Sequence, residues 1–167
     1  MESLVYYYPQ GHAAHYETGH PERPERVEAL SRALDMAGWW EPYPKILPRQ
    51  VSEQVLRAVH TGEYLETLQQ ACRAGEHLDG DTYTTPASWD VAYASAGGAL
   101  AVAEAVWSGE ARRGFALTRP PGHHATRWRG MGFCLLNHIA IATETLGESS
   151  RVNIAVTSPQ KGLIPNF

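Results

Sequence analysis

The chain has 167 residues, 43% of them hydrophobic and 19% charged, which excludes an intrinsically disordered protein and fits one domain with its own core. Its net charge of −4 and its pI near 6.0 exclude an extended basic surface, so we expect no nucleic-acid partner. The sequence shows no signal-peptide pattern and no apolar run long enough to span a bilayer, so we expect a cytoplasmic protein without membrane contact, with Cys72 and Cys134 as reduced thiols.

The first third of the chain predicts a strand, a polar loop and a helix. Residues 4–8 are β-branched, aromatic or leucine and stop at Pro9, as a buried strand does. Residues 10–24 are rich in glycine, proline and histidine and are predicted to be a loop. Apolar positions then recur at helical spacing over residues 24–37, starting at a proline and ending before Gly38, which predicts a helix.

Three histidines of this loop, His12, His15 and His20, allow two interpretations. They could converge on a metal ion, or they could be ordinary polar residues of a loop. Their spacing is irregular, and a metal site needs a converging geometry that sequence does not show. The sequence favours the polar loop and leaves the metal site open.

The middle of the chain predicts three helices. One begins near Ser52, a plausible N-cap, and a second runs over residues 60–74. A polar loop at residues 75–86 separates them from the longest helix, residues 87–107. The glycine pair at residues 97–98 is unfavourable inside a helix, so we expect it to allow close packing against a sheet.

The last third predicts a strand at residues 115–118, a loop at 119–137, a helix at 136–146 and a further strand at 151–156. Strands and helices therefore alternate, with no internal repeat and no linker long enough to divide domains. This order predicts a single α/β domain over residues 1–167.

Residues 119–137 hold the most informative string, Arg-Pro-Pro-Gly-His-His-Ala-Thr-Arg-Trp-Arg-Gly-Met-Gly-Phe-Cys-Leu-Leu-Asn. A loop at the end of a strand in an α/β sheet is where such folds place ligands and catalytic groups. His123 and His124 offer two imidazoles whose charge changes near neutral pH, which suits proton transfer. Two adjacent histidines can also be a solvated surface pair, so the pair alone does not decide the function.

The whole string resembles the signature of the zinc-dependent histone deacetylase family, closest to its class II and bacterial deacetylase-like amidohydrolases. The His-Pro-Glu-x-Pro-x-Arg pattern at residues 20–26 and the Val-His-x-x-x-Tyr-Leu pattern at 59–65 are similar to that family as well. The resemblance implies the arginase/deacetylase fold, a three-layer α-β-α arrangement with a mostly parallel sheet. It covers residues 1–156, which correspond to the N-terminal part of the family domain, whereas residues 157–167 form a divergent tail.

The resemblance implies a catalytic and substrate-binding role for four residues of the string. His124 would be the general base that takes a proton from the attacking water, and His123 would assist as an electrostatic or acid partner. Gly132 and Phe133 would line the tunnel that holds the stem of the acyl-lysine.

Two further positions are implied outside the string. Asp81, before Thr-Tyr, would reach the rim and accept a hydrogen bond from the substrate backbone, with Asp79 as a weaker candidate. Arg26 would lie along an internal channel behind the active site. The alternatives are that either aspartate only forms a turn and that Arg26 is a surface residue of a first helical turn.

The zinc ligands of the family have no counterpart here. In the family, an Asp-x-His segment follows the strand that corresponds to residues 151–156, whereas this chain continues into Thr-Ser-Pro-Gln-Lys-Gly-Leu-Ile-Pro-Asn-Phe. We therefore expect no metal ligand and no bound zinc in this chain. The resemblance implies an amidohydrolase that removes acetyl or acyl groups from lysine or a related small amine, truncated here and inactive alone.

Two alternatives remain at this stage. The chain could be a non-catalytic acyl-group-binding or regulatory module, or one half of a split enzyme whose metal ligands come from another polypeptide. An uncovered sheet edge would also allow the chain to associate with itself.

Overall fold

The computed structural model describes residues 4–147. In chain order the elements are β1 (Val5–Tyr7), a 3-10 helix (His12–Ala14), α1 (Glu25–Met36), α2 (Glu53–Val59), α3 (Gly62–Ala74), α4 (Ser88–Trp107), β2 (Gly114–Ala116) and α5 (His138–Leu146). Each element predicted within this range is present, with ends that differ by a few residues. The strand predicted at residues 151–156 and the tail at 157–167 lie outside the described residues.

The two strands form a parallel sheet. β1 pairs with β2, and Tyr6 stands opposite Phe115 in the register. On its other side Tyr6 forms an isolated parallel bridge with Lys45. Since parallel neighbours need a long crossover connection, the helices between β1 and β2 belong to that connection. The parallel α/β architecture expected from the sequence is confirmed for this part of the chain.

Successive side chains of β1 point to opposite faces of the sheet and define three layers. On one face, the ring of Tyr7 lies so close to α4 that a Cβ on Gly98 would be 2.2 Å from it. The Tyr7 hydroxyl donates a hydrogen bond to the Ala94 carbonyl of the same helix (3.0 Å). On the opposite face, Tyr6 packs with Val27 of α1. The order α4, sheet, α1 is therefore an α-β-α arrangement, and Gly98 permits the close approach that the glycine pair predicted.

The largest apolar cluster anchors the segment that follows the His-His string. Leu135 and Leu136 are fully buried in it, against residues of α2, α3 and α4. Its buried members are Val51, Leu56, Tyr64, Leu65, Leu68, Cys72, Ala92, Ala96, Leu100, Leu135, Leu136 and Ile141. Each Å² of apolar surface removed from water stabilises the fold by about 25 cal/mol, so the burial of these two leucines holds the segment firmly against the helices.

Capping side chains set the beginnings of α2, α3 and α5. The Ser52 hydroxyl accepts a hydrogen bond from the Val55 N–H, which confirms the predicted N-cap of α2. The last helix begins at His138 rather than at the predicted residue 136. The Asn137 side chain caps it by accepting from the Ala140 N–H (3.0 Å), and Leu136 is held in the core before the helix starts.

Within residues 4–147, no helix combines the length and the hydropathy that crossing a bilayer would need.

Candidate active site

The chain enters the His-His string through a residue that is clamped to α4. Arg119 donates its N–H to the Ser95 hydroxyl (3.2 Å) and accepts a hydrogen bond from the same hydroxyl at its carbonyl (2.7 Å). Both residues are almost fully buried. The starting point of the loop is therefore fixed by a single serine of the long helix.

The side chain of Arg119 forms a buried ion pair with Glu22. Arg119 Nε lies 2.9 Å from Glu22 Oε1, and Nη2 donates to the Tyr83 hydroxyl (3.0 Å). Nη1 donates to the carbonyl of His12. A guanidinium carries five N–H donors in a fixed fork, and here they bind the loop before α1 and the loop before α4 at once.

His15 completes this buried polar network. Its Nδ1 lies 2.6 Å from the Ser88 hydroxyl, its Nε2 lies 3.5 Å from Glu22 Oε2, and its ring stacks on Tyr83 at 4.2 Å between centroids. Burial lowers the pKa of His15 below the usual value, although the Glu22 carboxylate opposes that effect. Burial alone would raise the pKa of Glu22, but His15 and the Arg119 charge outweigh it and hold it below its usual value.

The two histidines of the string lie against each other, with ring centroids 4.1 Å apart. Their backbone N–H groups both point to Cys134 Sγ, at 3.4 Å from His123 and 3.3 Å from His124. Cys134 is fully buried, and burial raises its pKa, so it acts as a neutral anchor and not as a nucleophile.

The two imidazoles have different surroundings. His124 is exposed and lies beside Gly132, where a Cβ would be 3.0 Å from its ring. His123 is half-buried and lines a groove of about 570 Å³ between α2 and α5. Burial, followed by the neighbouring His124, lowers the pKa of His123. His123 is therefore biased towards the neutral form, while His124 faces solvent.

His60 joins two points of the loop that follow the His-His pair, Thr126 and Asn137. Its Nδ1 lies 2.9 Å from the Thr126 carbonyl, which can only accept, so this nitrogen carries the proton. Its Nε2 then accepts from the Asn137 N–H (3.0 Å). Burial lowers the pKa of His60, which keeps this neutral tautomer. A structural role for His60 agrees with these contacts.

The predicted substrate-binding residues Asp81, Gly132 and Phe133 come together at one place. Phe133 has φ 69 and Gly132 has φ 57, so the chain turns through the left-handed region at both positions. The Phe133 N–H donates to the hydroxyl of Thr82 (3.2 Å), and that hydroxyl donates to Asp81 Oδ1 (3.3 Å). The Thr82 side chain thus joins Asp81, in the loop before α4, to Phe133, in the loop after β2.

Asp79 has a turn role beside the exposed Asp81. Its Oδ1 accepts from the Asp81 N–H (3.1 Å), as an aspartate in a turn does. Its slight burial would raise its pKa, but hydrogen bonds from Thr82 and Asp81 hold it below the usual value.

Arg26, expected along an internal channel, lies in the first turn of α1 and is half-buried. Its charge helps to lower the pKa of Glu22, after the larger effects of His15 and Arg119. Among the arginines of residues 4–147, the buried one is Arg119.

The residues that the structure describes do not assemble a zinc site. Within residues 4–147, no group of three or more His, Cys, Asp or Glu side chains could hold a metal ion. His12, His15 and His20 bind three different partners: the Tyr8 hydroxyl, the Ser88 hydroxyl and the Asp81 carbonyl, respectively. Residues 1–3 and 148–167 add only two glutamates of these residue types. The described residues therefore do not fit a zinc ion.

Sequence reasoning missed the buried network of Glu22, Arg119 and Tyr83. One signal was available in α4, where Ser88 and Ser95 lie one heptad apart on the face that carries Ala92. Serines on an otherwise apolar, buried helix face indicate polar partners inside the fold.

Comparisons with known proteins show the family of the chain. Residues 20–156 match the family model described as the histone deacetylase domain. A probable deacetylase of Methanothermobacter thermautotrophicus is 39% identical over 162 residues, which cover 93% of this chain and 45% of that protein. A histone deacetylase-like amidohydrolase of Pseudomonas aeruginosa is 38% identical over 127 residues, covering 75% of this chain and 33% of that protein.

A solved structure is similar as well. The crystal structure of the HDA15 HD domain superimposes with a TM-score of 0.79 at 33% identity, covering 85% of this chain and 42% of that one. A polyamine deacetylase of Homo sapiens is 35% identical over 128 residues, which cover 72% of this chain and 19% of that protein. The chain thus spans less than half the length of each of these relatives.

Proposed function

This chain belongs to the histone deacetylase domain family and has its arginase/deacetylase fold, and from that membership we propose that it carries the acid–base and substrate-contacting half of a deacetylase-type site. The observation that supports this most is the paired geometry of His123 and His124. Their rings lie 4.1 Å apart on a loop held by Cys134, beside the wall formed by Gly132 and Phe133.

The proposed chemistry is proton transfer during hydrolysis of an acyl amide. Exposed His124 takes a proton from the water that adds to the acyl carbonyl, and the proton passes to the amine nitrogen as the C–N bond breaks. His123, whose pKa is lowered by burial, assists by hydrogen bonding and by its electrostatic influence on His124. General acid–base catalysis of this kind contributes about 10²–10⁴-fold in rate, far less than a complete amidohydrolase site needs.

The family resemblance implies zinc as the group that polarises the carbonyl and the water, and the described residues of this chain do not fit a zinc centre. We propose that the 167-residue chain alone has no deacetylase activity. The ligands would have to come from residues outside this sequence, for example from a second polypeptide of a split enzyme.

A second candidate function is a non-catalytic module that binds acyl groups or regulates another protein. The observation that favours it is that Thr82 links Asp81, expected at the rim, to Phe133, expected in the tunnel wall, by hydrogen bonds within the same chain. Binding could therefore persist without hydrolysis.

The proposed substrate class is an acetylated lysine or an acetylated small amine. The name of the human relative, a polyamine deacetylase, makes small amines worth including beside peptides. We propose a cytoplasmic protein without nucleic-acid or membrane partners. Self-association through β2 is a further proposal, since Gly114 is exposed and β1 is the only strand paired with β2 in the described part.

The test is a hydrolysis assay of the whole chain with added zinc, offering an acetyl-lysine peptide and an acetylated polyamine. We expect no turnover above the zinc-only background in either the unmodified chain or the His124→Ala variant, and calorimetry should show no tight stoichiometric zinc binding. Zinc-dependent turnover that disappears in His124→Ala would overturn the proposed inactivity while supporting the catalytic assignment. Turnover equal in both chains would overturn the role of His124.

A further inference from the structure

Thr82 lies between the two residues expected to contact substrate. Its hydroxyl oxygen accepts from the Phe133 N–H at 3.2 Å and donates to Asp81 Oδ1 at 3.3 Å. A hydroxyl has one proton to donate and two lone pairs to accept with, so it can serve both partners together. The result is a continuous chain of hydrogen bonds from the Phe133 backbone to the Asp81 carboxylate.

Burial separates this hydroxyl from solvent. Thr82 is fully buried, whereas Asp81 beside it is exposed. The Thr82 carbonyl accepts from the Leu78 N–H (2.8 Å), which closes the turn that carries Asp81. Because solvent does not reach the hydroxyl, its removal would leave the Phe133 N–H without the partner that the structure provides.

The backbone of Phe133 needs such a partner. Its φ of 69 is rare for a residue with a Cβ and is unfavourable, so it persists only where the surroundings hold it. The hydrogen bond to Thr82 is one restraint. The edge of the His20 ring against the Phe133 ring, at 5.1 Å between centroids, is another.

His20 also contacts both Asp81 and Phe133. Its Nε2 lies 3.1 Å from the Asp81 carbonyl, which can only accept, so this nitrogen donates. Its Nδ1 then accepts from the Glu22 N–H (3.1 Å). The backbone of Asp81 is held by His20 and its carboxylate by Thr82, so the two ties act on different atoms.

We propose that Thr82 is a positioning residue of the substrate rim, whose hydroxyl couples the Asp81 carboxylate to the left-handed backbone of Phe133. The substrate contacts of Asp81 and Phe133 rest on the proposed function, whereas the hydrogen-bond coupling itself does not. The residue touches no reacting atom and acts through its two neighbours. A serine would preserve the coupling, and a valine of the same shape would abolish it.

The test compares Thr82→Val with Thr82→Ser in the full 167-residue chain, with Thr84→Val as a matched control. Thr84 is a buried threonine of the same loop, and its hydroxyl shares its one proton between the Ala71 and Glu76 carbonyls instead. Two quantities are measured: the hydrogen-exchange rate of the Phe133 amide relative to global unfolding, and the Kd of an acetyl-lysine peptide from an NMR titration.

We expect Thr82→Val to raise the Phe133 exchange rate and the peptide Kd by about tenfold, the effect of losing one hydrogen bond of ordinary net strength. Thr82→Ser should stay within about twofold of the unmodified chain in both quantities, and Thr84→Val should change stability alone. If the valine variant does not fold, Thr82→Ala makes the same comparison with Thr82→Ser.

The coupling is overturned if Phe133 exchange is unchanged without the hydroxyl, or if the serine variant behaves like valine. It is also overturned as a positioning effect if exchange rises while the peptide Kd stays the same. Should the unmodified chain bind no peptide while exchange still follows the hydroxyl, the proposed function fails and the coupling is supported.

Discussion

Glu22 and Arg119 form an ion pair with 2.9 Å between Oε1 and Nε, and each residue is only 1% exposed. Glu22 belongs to the His-Pro-Glu loop before α1, and Arg119 immediately precedes the Pro-Pro-Gly-His-His string. One ion pair therefore joins the two segments that carry the family resemblance. Removing both charges from water is unfavourable, and hydrogen bonds from the Tyr83 hydroxyl and His15 help to offset that cost.

Removal of one partner should be far more harmful than the loss of a surface pair. We predict that Glu22→Gln lowers the free energy of unfolding by about 3–5 kcal/mol, because it leaves Arg119 buried and uncompensated. Urea unfolding measures this. The matched control is Glu53→Gln, which breaks the exposed pair with Arg57 (2.8 Å) and should cost less than about 1 kcal/mol. Equal losses in the two variants would contradict the account.

Stability should fall on moderate acidification because of the fully buried His138. Burial lowers its pKa from 6.5 to about 3. Between these values the unfolded chain binds a proton that the folded chain excludes, so the free energy of unfolding is highest above about pH 6.5 and decreases as the pH falls. The pKa values of His15 and His60 are lowered as well, and both add to the slope in the same direction.

The contribution of His138 can be isolated by substitution. From pH 6 to pH 5, His138→Asn should reduce the slope of unfolding free energy against pH by about 1.4 kcal/mol per pH unit, the effect of one proton. Leu68→Ala removes a fully buried side chain without a titratable group, so it should lower stability at an unchanged slope. A slope unaltered in His138→Asn would show that this imidazole titrates normally in the folded chain.

The ring of His138 also packs against the His-His string at Gly122. A Cβ on Gly122 would lie 2.1 Å from Cγ of that ring, so the chain or the ring would have to move. We predict that Gly122→Ala costs about 1–3 kcal/mol and shifts the NMR signals of His123. In a His138→Ala background the space is available, and Gly122→Ala should then cost little. An equal cost in both backgrounds, measured by a double-mutant cycle, would disprove this contact.

The sequence predicts local features well, because their causes are local. The helix end at Gly38 and the N-cap at Ser52 each depend on one residue and its immediate neighbours, and the structure contains both. The glycine pair predicted a close approach without its partner, which the structure shows to be Tyr7 at Gly98. The proximity of His123 to His124 follows from their adjacency in the chain.

The buried network could not be predicted from the same evidence. Glu22 lies in a loop whose composition is that of a solvated segment, and its partner Arg119 stands far along the chain. Their meeting depends on how α4 and the loops pack, a tertiary property that local propensity does not encode. The link from Thr82 to Phe133 has the same origin, because a threonine beside an aspartate looks like an ordinary turn.

The most direct test of the central claim is an NMR titration of the ¹⁵N-labelled chain with an acetyl-lysine peptide and with the same peptide lacking the acetyl group. We predict saturable shifts at His123, His124, Gly132 and Phe133 with the acetylated peptide alone. In the His124→Ala variant, the peptide-induced shifts around residue 124 should be lost and those of Phe133 retained. Absence of saturable shifts, or equal shifts with both peptides, would contradict the claim that this chain carries the acyl-binding wall and the acid–base histidines of a deacetylase site.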